Sequence, residues 1–239
     1  MDDALKGLRV VETAAVLAGP AVGMFFAELG AQVIKLENAR TGGDITRKWR
    51  TPEEGDDAPV SAYFSSVNMG KEHRMVDLTS EAGQRMLHEL VKQADVLITN
   101  HLDADAAKLG LDRARLRDLN PRLIHGHIRG YADDHARPAF DVVLQGETGY
   151  ISMTGTDDAH IAKLPVAMID LLAAHQLKEG LLLALLSRER SGKGAYVEVA
   201  LDEAALTGLV NQASNWLMAG HKAKPLGTLH PNIAPYGEV

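Results

Sequence analysis

The chain has 239 residues, 46% of them hydrophobic, with a formal net charge of −7 and no cysteine. That length can bury a real core as one large domain or two small ones, and the lack of thiols excludes disulfides, thiolate metal sites and a cysteine nucleophile. The acidic balance disfavours general nucleic-acid binding, which needs a basic face; Arg47, Lys48 and Arg50 still form a local basic cluster suited to a small anion. No uncharged apolar run reaches the roughly 18 residues of a membrane span, and the start Met1-Asp2-Asp3-Ala4-Leu5-Lys6 lacks the pattern of a signal peptide. The expectation is a globular, cytoplasmic protein with no nucleic-acid or membrane partner.

Residues 7–15 read as a short buried strand, Ala18-Gly19-Pro20 as a tight turn, 21–29 as an apolar helix stopped by Gly30, and 32–37 as a second strand. Proline in the first helical turn and glycine just past the last mark a βαβ unit, so the sheet is predicted to be parallel. A Rossmann fold carries its phosphate loop here, but the segment 18–23, Ala-Gly-Pro-Ala-Val-Gly, does not contain G-x-G-x-x-G, which argues against nicotinamide or flavin binding. A helix N-terminus at that place still suits a phosphate. Residues 38–62, polar and rich in glycine and charge, are predicted as a long surface loop of the kind that often carries function.

Residues 63–68 and 74–78 read as short extended segments. Ser80 opens a helix running to Lys92, and 94–99 is a strand with Asn100 and His101 at its C-terminal end, where parallel α/β sheets hold ligands. Short helices from Ala104 and Arg113, and a strand over 123–128, continue the alternation. His125 and His127 put two imidazoles on one face of that strand, but a closed zinc site needs about four ligands and no third stands out. They read as two polar strand residues, and no metal site is predicted. Residues 139–146 look helical, 149–155 end in a turn, and Ser152 lacks the G-x-S-x-G context of a hydrolase elbow.

Residues 171–186 carry Leu, Ala or Gly at almost every position, so this helix is expected to be apolar nearly all round and buried. Asp170 stands at its mouth. One reading is an N-cap, the carboxylate accepting from free N–H groups of the first turn. The other is a nucleophile that needs no base, an ionised carboxylate beside an apolar helix. Residues 188–194 close the helix, 195–199 alternate as a strand, 202–218 form another helix, and a tail with Pro, Gly and His follows. Neither repeats nor low-complexity tracts nor a clear interdomain linker interrupt the chain.

Several of these segments share one pattern. Gly7-Leu8-Arg9-Val10, Ala18-Gly19-Pro20, the run 29–37, Asn120-Pro121-Arg122-Leu123-Ile124, Phe140-Asp141 with Gln145, Asp170, and Ser191-Gly192-Lys193-Gly194 ahead of Val197-Glu198-Val199-Ala200-Leu201 occur in order and in register. Together they resemble the class III coenzyme A transferases, relatives of formyl-CoA transferase and carnitine CoA-transferase, along essentially the whole chain. The resemblance implies an α/β fold, a Rossmann-like parallel sheet flanked by helices, as the large domain (1–225) of an interlocked homodimer. It implies coenzyme A as cosubstrate, an acyl-CoA and a small carboxylic acid as partners, no metal, and Asp170 as the catalytic nucleophile. The family's aspartate attacks an acyl-CoA thioester to give a mixed anhydride, the CoA thiolate returns to form an aspartyl-CoA thioester, and an acceptor carboxylate reverses the sequence. An aspartate with a reference pKa of about 3.9 is ionised at neutral pH, so no general base is required, and an apolar helix beside it strips water from the attacking oxygen.

By position, the resemblance places Val16, Leu17 and Ala18 at the thiol end of CoA, and Lys71, Asn100, His101 and Lys108 at the adenosine and phosphate end. Without it, Lys71 and Lys108 read as solvated surface lysines. Two departures stand out: Leu17 where some members carry Gln, and Gly70-Lys71-Glu72-His73 where Asn-Lys-Arg-Ser is usual. The racemase branch, the nearest rival, resembles the chain throughout but has His before the equivalent of Asp141; here that residue is Phe140, whose ring cannot move a proton, so transfer is favoured over racemisation. Residues 226–239 read as the lead into the family's smaller domain, which the sequence does not contain. The expectation is therefore a fragment with weak or no activity alone, or at the limit a CoA-binding or dimerisation module.

Overall fold

Proline and glycine punctuation and runs of β-branched residues set the element order of the computed structural model, which describes residues 3–55 and 58–236. Met1 and Asp2 of the chain start, Asp56 and Asp57 of the predicted loop, and the last three residues of the 226–239 segment lie outside the described residues. The elements are β1 (Arg9–Glu12), α1 (Ala18–Glu28), β2 (Gln32–Asn38), a 3-10 turn (Ile45–Lys48), α2 (Ala62–Ser65), β3 (Glu72–Val76), α3 (Glu81–Gln93) and β4 (Val96–Thr99). They continue with α4 (Asp103–Lys108), α5 (Arg113–Leu119), β5 (Ile124–Arg129), α6 (Asp141–Glu147), α7 (Tyr150–Met153), α8 (Met168–Ser191), β6 (Ala195–Ala200), α9 (Leu201–Gly208) and α10 (Asn211–Ala219).

Among the described residues six strands pair in parallel in the order β3-β2-β1-β4-β5-β6, with Val10 of β1 opposite Val33 and Val96. Side chains alternate faces along each strand, so both faces of this sheet must be covered. Val10, Val33, Val96, Ile98 and Ile124 pack on one face with α1, α8 and α9; Val11, Ile34, Leu36 and Leu97 pack on the other with α3 and α5. The result is a doubly wound α/β sheet whose strand order reverses between β1 and β4. Glycines let α8 come close: a Cβ at Gly180 would lie 2.6 Å from Val197 Cγ1, and one at Gly126 would lie 3.0 Å from Leu181 Cδ2. Among the described residues no helix is long and apolar enough to cross a membrane.

Three local expectations are corrected. Residues 62–65 are helical rather than extended, because the Ser61 hydroxyl caps Phe64 N at 3.0 Å and donates to Thr46 O at 2.6 Å; the cap overrides the strand preference of Tyr63 and Phe64. The predicted helix over 202–218 is two helices. Tyr150 Oη donates to Ala205 O at 3.0 Å, Leu209 N turns to Leu206 O, and Val210 takes φ +45° at the break. Finally, α8 buries one face only: Ile169, Ala173, Leu177 and Leu181 are fully enclosed, whereas Leu183 and Leu186 are 66% and 63% exposed.

Candidate active site

The reversal of strand order between β1 and β4 opens a crevice at their C-terminal ends, the place where such sheets bind ligands. The chain leaves β1 through residues 13–17 and β4 through Asn100 and His101. Asn100 clamps the first segment from both sides, accepting from Ala15 N at 3.1 Å and donating to Ala15 O at 2.9 Å; His101 Nε2 meets Thr13 Oγ1 at 3.0 Å. Val16 next to this clamp has φ +74°, a conformation a β-branched residue rarely adopts. Asp44 holds it there, taking Val16 N at 3.2 Å while its carboxylate also pairs with Lys35 at 3.2 Å and accepts from Thr46. Strain of this kind survives only where neighbours over-determine it. Val16, Leu17 and the start of α1 at Ala18 thus present a rigid wall.

Asp170 faces that wall. It is the third residue of α8, and Ala167 occupies the cap position with no side chain to offer, so the N-cap reading of Asp170 is corrected. The cap comes from another helix: Asp141 Oδ2 accepts from Ile169 N at 3.2 Å. Asp170 is mostly buried, and no hydrogen bond from the described residues reaches its carboxyl. Burial, reinforced by the nearby charge of Asp141, pushes its pKa up to about 7. Tyr63 of α2 lies within reach of the same field: burial first, then the charges of Asp170, Asp141 and Asp44, raise its phenol above the ordinary value.

Val16, Leu17, Ala18, Asn100, His101 and Asp170 line one cavity of about 150 Å³, walled further by Arg129 and Phe140. At Ala15 and His101 it meets a groove of about 750 Å³ along the ends of β1, β2 and β3, flanked by Thr41, Lys48, Thr79 and Lys108. The groove has the volume of a small-molecule site, roughly 300–1,000 Å³. Lys108 therefore stands on the groove, exposed and paired with Asp105 at 3.1 Å. Of the basic cluster at 47–50, Lys48 also lines it; Arg47 is spent on Glu37 at 2.6 Å, and Arg50 donates to Gly55 O and Ala58 O.

Lys71 stands apart and is no surface lysine. Its ammonium is fully enclosed, donating to Glu12 at 2.9 Å, Pro20 O at 2.8 Å and Asn68 Oδ1 at 2.9 Å, and burial pulls its pKa down to about 8. Glu12 also pairs with Lys35 at 2.8 Å, so the charges of β1 and β2 form a closed buried network under α1. His125 and His127 likewise turn inward, sharing the Thr99 hydroxyl at 2.9 and 2.7 Å, and burial lowers their pKa values to about 3 and about 4.

Sequence reasoning missed Asp44 and Tyr63 and gave Asp141 and Gln145 no place in the site. A signal existed for Asp44: an aspartate after two glycines and before Ile-Thr is a capping pattern, and it does cap the 3-10 turn.

Residues 5–239 match the model of CoA-transferase family III. The succinate–glutarate CoA-transferase of Agrobacterium fabrum is 40% identical over 98% of this chain and 60% of its own length. The succinyl-CoA:mesaconate CoA-transferase of Haloarcula hispanica is 33% identical over 98% of this chain and 60% of its own length. A crystal structure of a CAIB/BAIF family protein from Brucella suis superposes with a TM-score of 0.91 at 37% identity, covering 99% of this chain and 63% of that one. The chain thus spans about 60% of the length of these relatives. A doubly wound sheet with an aspartate in its switch-point crevice, matched along nearly the whole chain by this family's model, places the protein in CoA-transferase family III.

Proposed function

We propose that the protein moves coenzyme A between an acyl-CoA and a small carboxylic acid, with Asp170 as nucleophile. The observation that carries this reading is a carboxyl that no hydrogen bond from the described residues reaches, in a cavity that meets a ligand-sized groove at Ala15 and His101. An Asp170 oxygen attacks the thioester carbonyl, the C–S bond breaks, and CoA leaves as thiolate. The thiolate then attacks the aspartyl carbonyl of the anhydride, releasing the donor acid and leaving an aspartyl-CoA thioester. An acceptor carboxylate attacks that thioester and expels the thiolate, which finally attacks the acceptor's acyl carbonyl, giving the new acyl-CoA and free Asp170. Each step trades one activated acyl group for another, so no metal or general base is invoked.

Lys48 and Lys108 on the groove suit the phosphates of CoA, and Val16, Leu17 and Ala18 suit its thiol end. The relatives named for succinate, glutarate and mesaconate favour a short dicarboxylic acid as acceptor. Phe140 on the cavity wall offers no proton carrier, which disfavours racemisation. A homodimer fits the apolar side chains left open on α8 and α10, Leu183, Leu186, Trp216 and Leu217 among them. The test is incubation with succinyl-CoA and hydroxylamine, followed by peptide mass spectrometry. A hydroxamate at Asp170, absent from Asp170→Ala, is the expected result; an unmodified Asp170 with turnover elsewhere refutes the assignment.

A further inference from the structure

Asp141 opens α6 immediately after Phe140 of the cavity wall and is 8% exposed. One of its oxygens accepts from Ile169 N, the residue before Asp170, at 3.2 Å. Gln145, one turn further on and 1% exposed, donates from Nε2 to Asp141 Oδ1 at 2.7 Å, and its Oε1 accepts from Leu164 N at 2.8 Å. The carboxamide is therefore oriented at both ends, tying the segment that enters α8 to the acid that caps it.

A helix start leaves N–H groups unsatisfied, and an acidic side chain in the first turn ordinarily collects one of them. At α8 the acceptor arrives from α6 instead, and among the described residues Asp170 makes no such bond. We propose that Asp141, oriented by Gln145, is a positioning residue for the nucleophile: it occupies the helix-start N–H that Asp170 would otherwise bind and so leaves both Asp170 oxygens free toward the cavity. This rests on Asp170 being the nucleophile.

A second consequence follows from charge. His101, Arg129, Asp134, His135 and Arg137 line the cavity from the end of β4, β5 and the loop after it, and Tyr63 of α2 feels the charge of Asp170, yet only Asp141 acts with burial to raise Asp170. A more basic carboxylate is a stronger nucleophile once ionised.

The experiment uses the full chain carrying Asp141→Asn, Asp141→Ala or Asp141→Glu. The Asp170 side-chain carboxyl is titrated by carbon-13 NMR, assigned by its loss in Asp170→Asn, beside the pH profile of acyl transfer to Asp170. Asp141→Asn is expected to lower the Asp170 midpoint by about one pH unit, the effect of removing a like charge, and to move the acidic limb of the rate profile with it. Asp141→Ala is expected to shift the Ile169 amide resonance and cut kcat by about a hundredfold with little change in KM, the signature of a displaced reacting group; Asp141→Glu restores part of both. An Asp170 midpoint and acidic limb unmoved in Asp141→Asn would overturn the proposal, as would a loss of melting temperature alone. If wild type forms no adduct the transferase reading fails, while the titration still reads the coupling of the two acids. Should Asp141→Ala not fold, the Asp141→Asn titration decides.

Discussion

Asp170 ionises at a cost, and the cost is visible in stability as well as in rate. Its pKa in the folded protein is about 7, raised by burial and by Asp141, against about 3.9 for an unfolded aspartate. A raised folded pKa contributes stability that is fully present below the unfolded value and is lost as pH rises through about 7. Asp170→Asn, which cannot ionise, is therefore expected to be more stable than wild type at alkaline pH by ~2 kcal/mol after allowance for partial exposure. The difference should vanish in acid. Urea unfolding on both sides of neutrality measures it, and equal stability at all pH would show that the carboxyl is solvated after all. In the same window wild type is expected to gain acylation rate as pH rises, because only the carboxylate attacks.

At the scale of the element, the beginning of the α1 layer depends on charges that never see solvent. Glu12 of β1 holds Lys71 and Lys35 beneath α1, and Gly23 leaves the room: a Cβ there would overlap Glu12 Oε2. Removing one partner of a buried pair strands the other charge. Lys71→Ala is thus expected to lower stability by about 3 kcal/mol, and CoA affinity of the fraction that remains folded should change little. Chemical unfolding beside CoA titration separates the two effects; a large loss of affinity at unchanged stability would return Lys71 to the phosphate site. Gly23→Ala is expected to destabilise by about 1–3 kcal/mol through the same network, read by thermal melts.

For the whole molecule, the sheet and its two helical layers close their own core, while large apolar side chains on α8 and α10 stay open. Trp216, Leu217 and Met218 of α10 are 57%, 80% and 88% exposed, and Leu183 and Leu186 of α8 are exposed as well. Side chains that touch nothing contribute little to folding of the single chain, so Leu217→Ser with Met218→Ser is expected to change stability by less than about 0.5 kcal/mol. Exposed apolar surface favours association, and in the proposed homodimer the same pair of changes should lower the sedimentation coefficient toward that of a monomer. An unaltered oligomeric state would remove α10 from the proposed interface.

The alternation of strands and helices, the parallel sheet and the position of Asp170 at the head of α8 were legible because each is written in local pattern: apolar runs of strand length, proline and glycine at helix ends, polar residues at strand C-termini. Asn100 and His101 were legible for the same reason, since a parallel strand delivers its end to the crevice. The fate of a polar group was not local. Asp141 reaches Ile169 across 28 residues and Lys71 reaches Glu12 across 59, and a buried donor or acceptor takes whichever partner the packed layers bring near. The linear pattern was therefore enough to give the layers and to place Asp170 at the head of α8. It took the packed fold to leave Asp170 without a hydrogen-bond partner among the described residues, to bring Asp141 to the start of its helix and to bury Lys71 in the core, because hydrogen-bond satisfaction inside a protein is settled by what the fold juxtaposes.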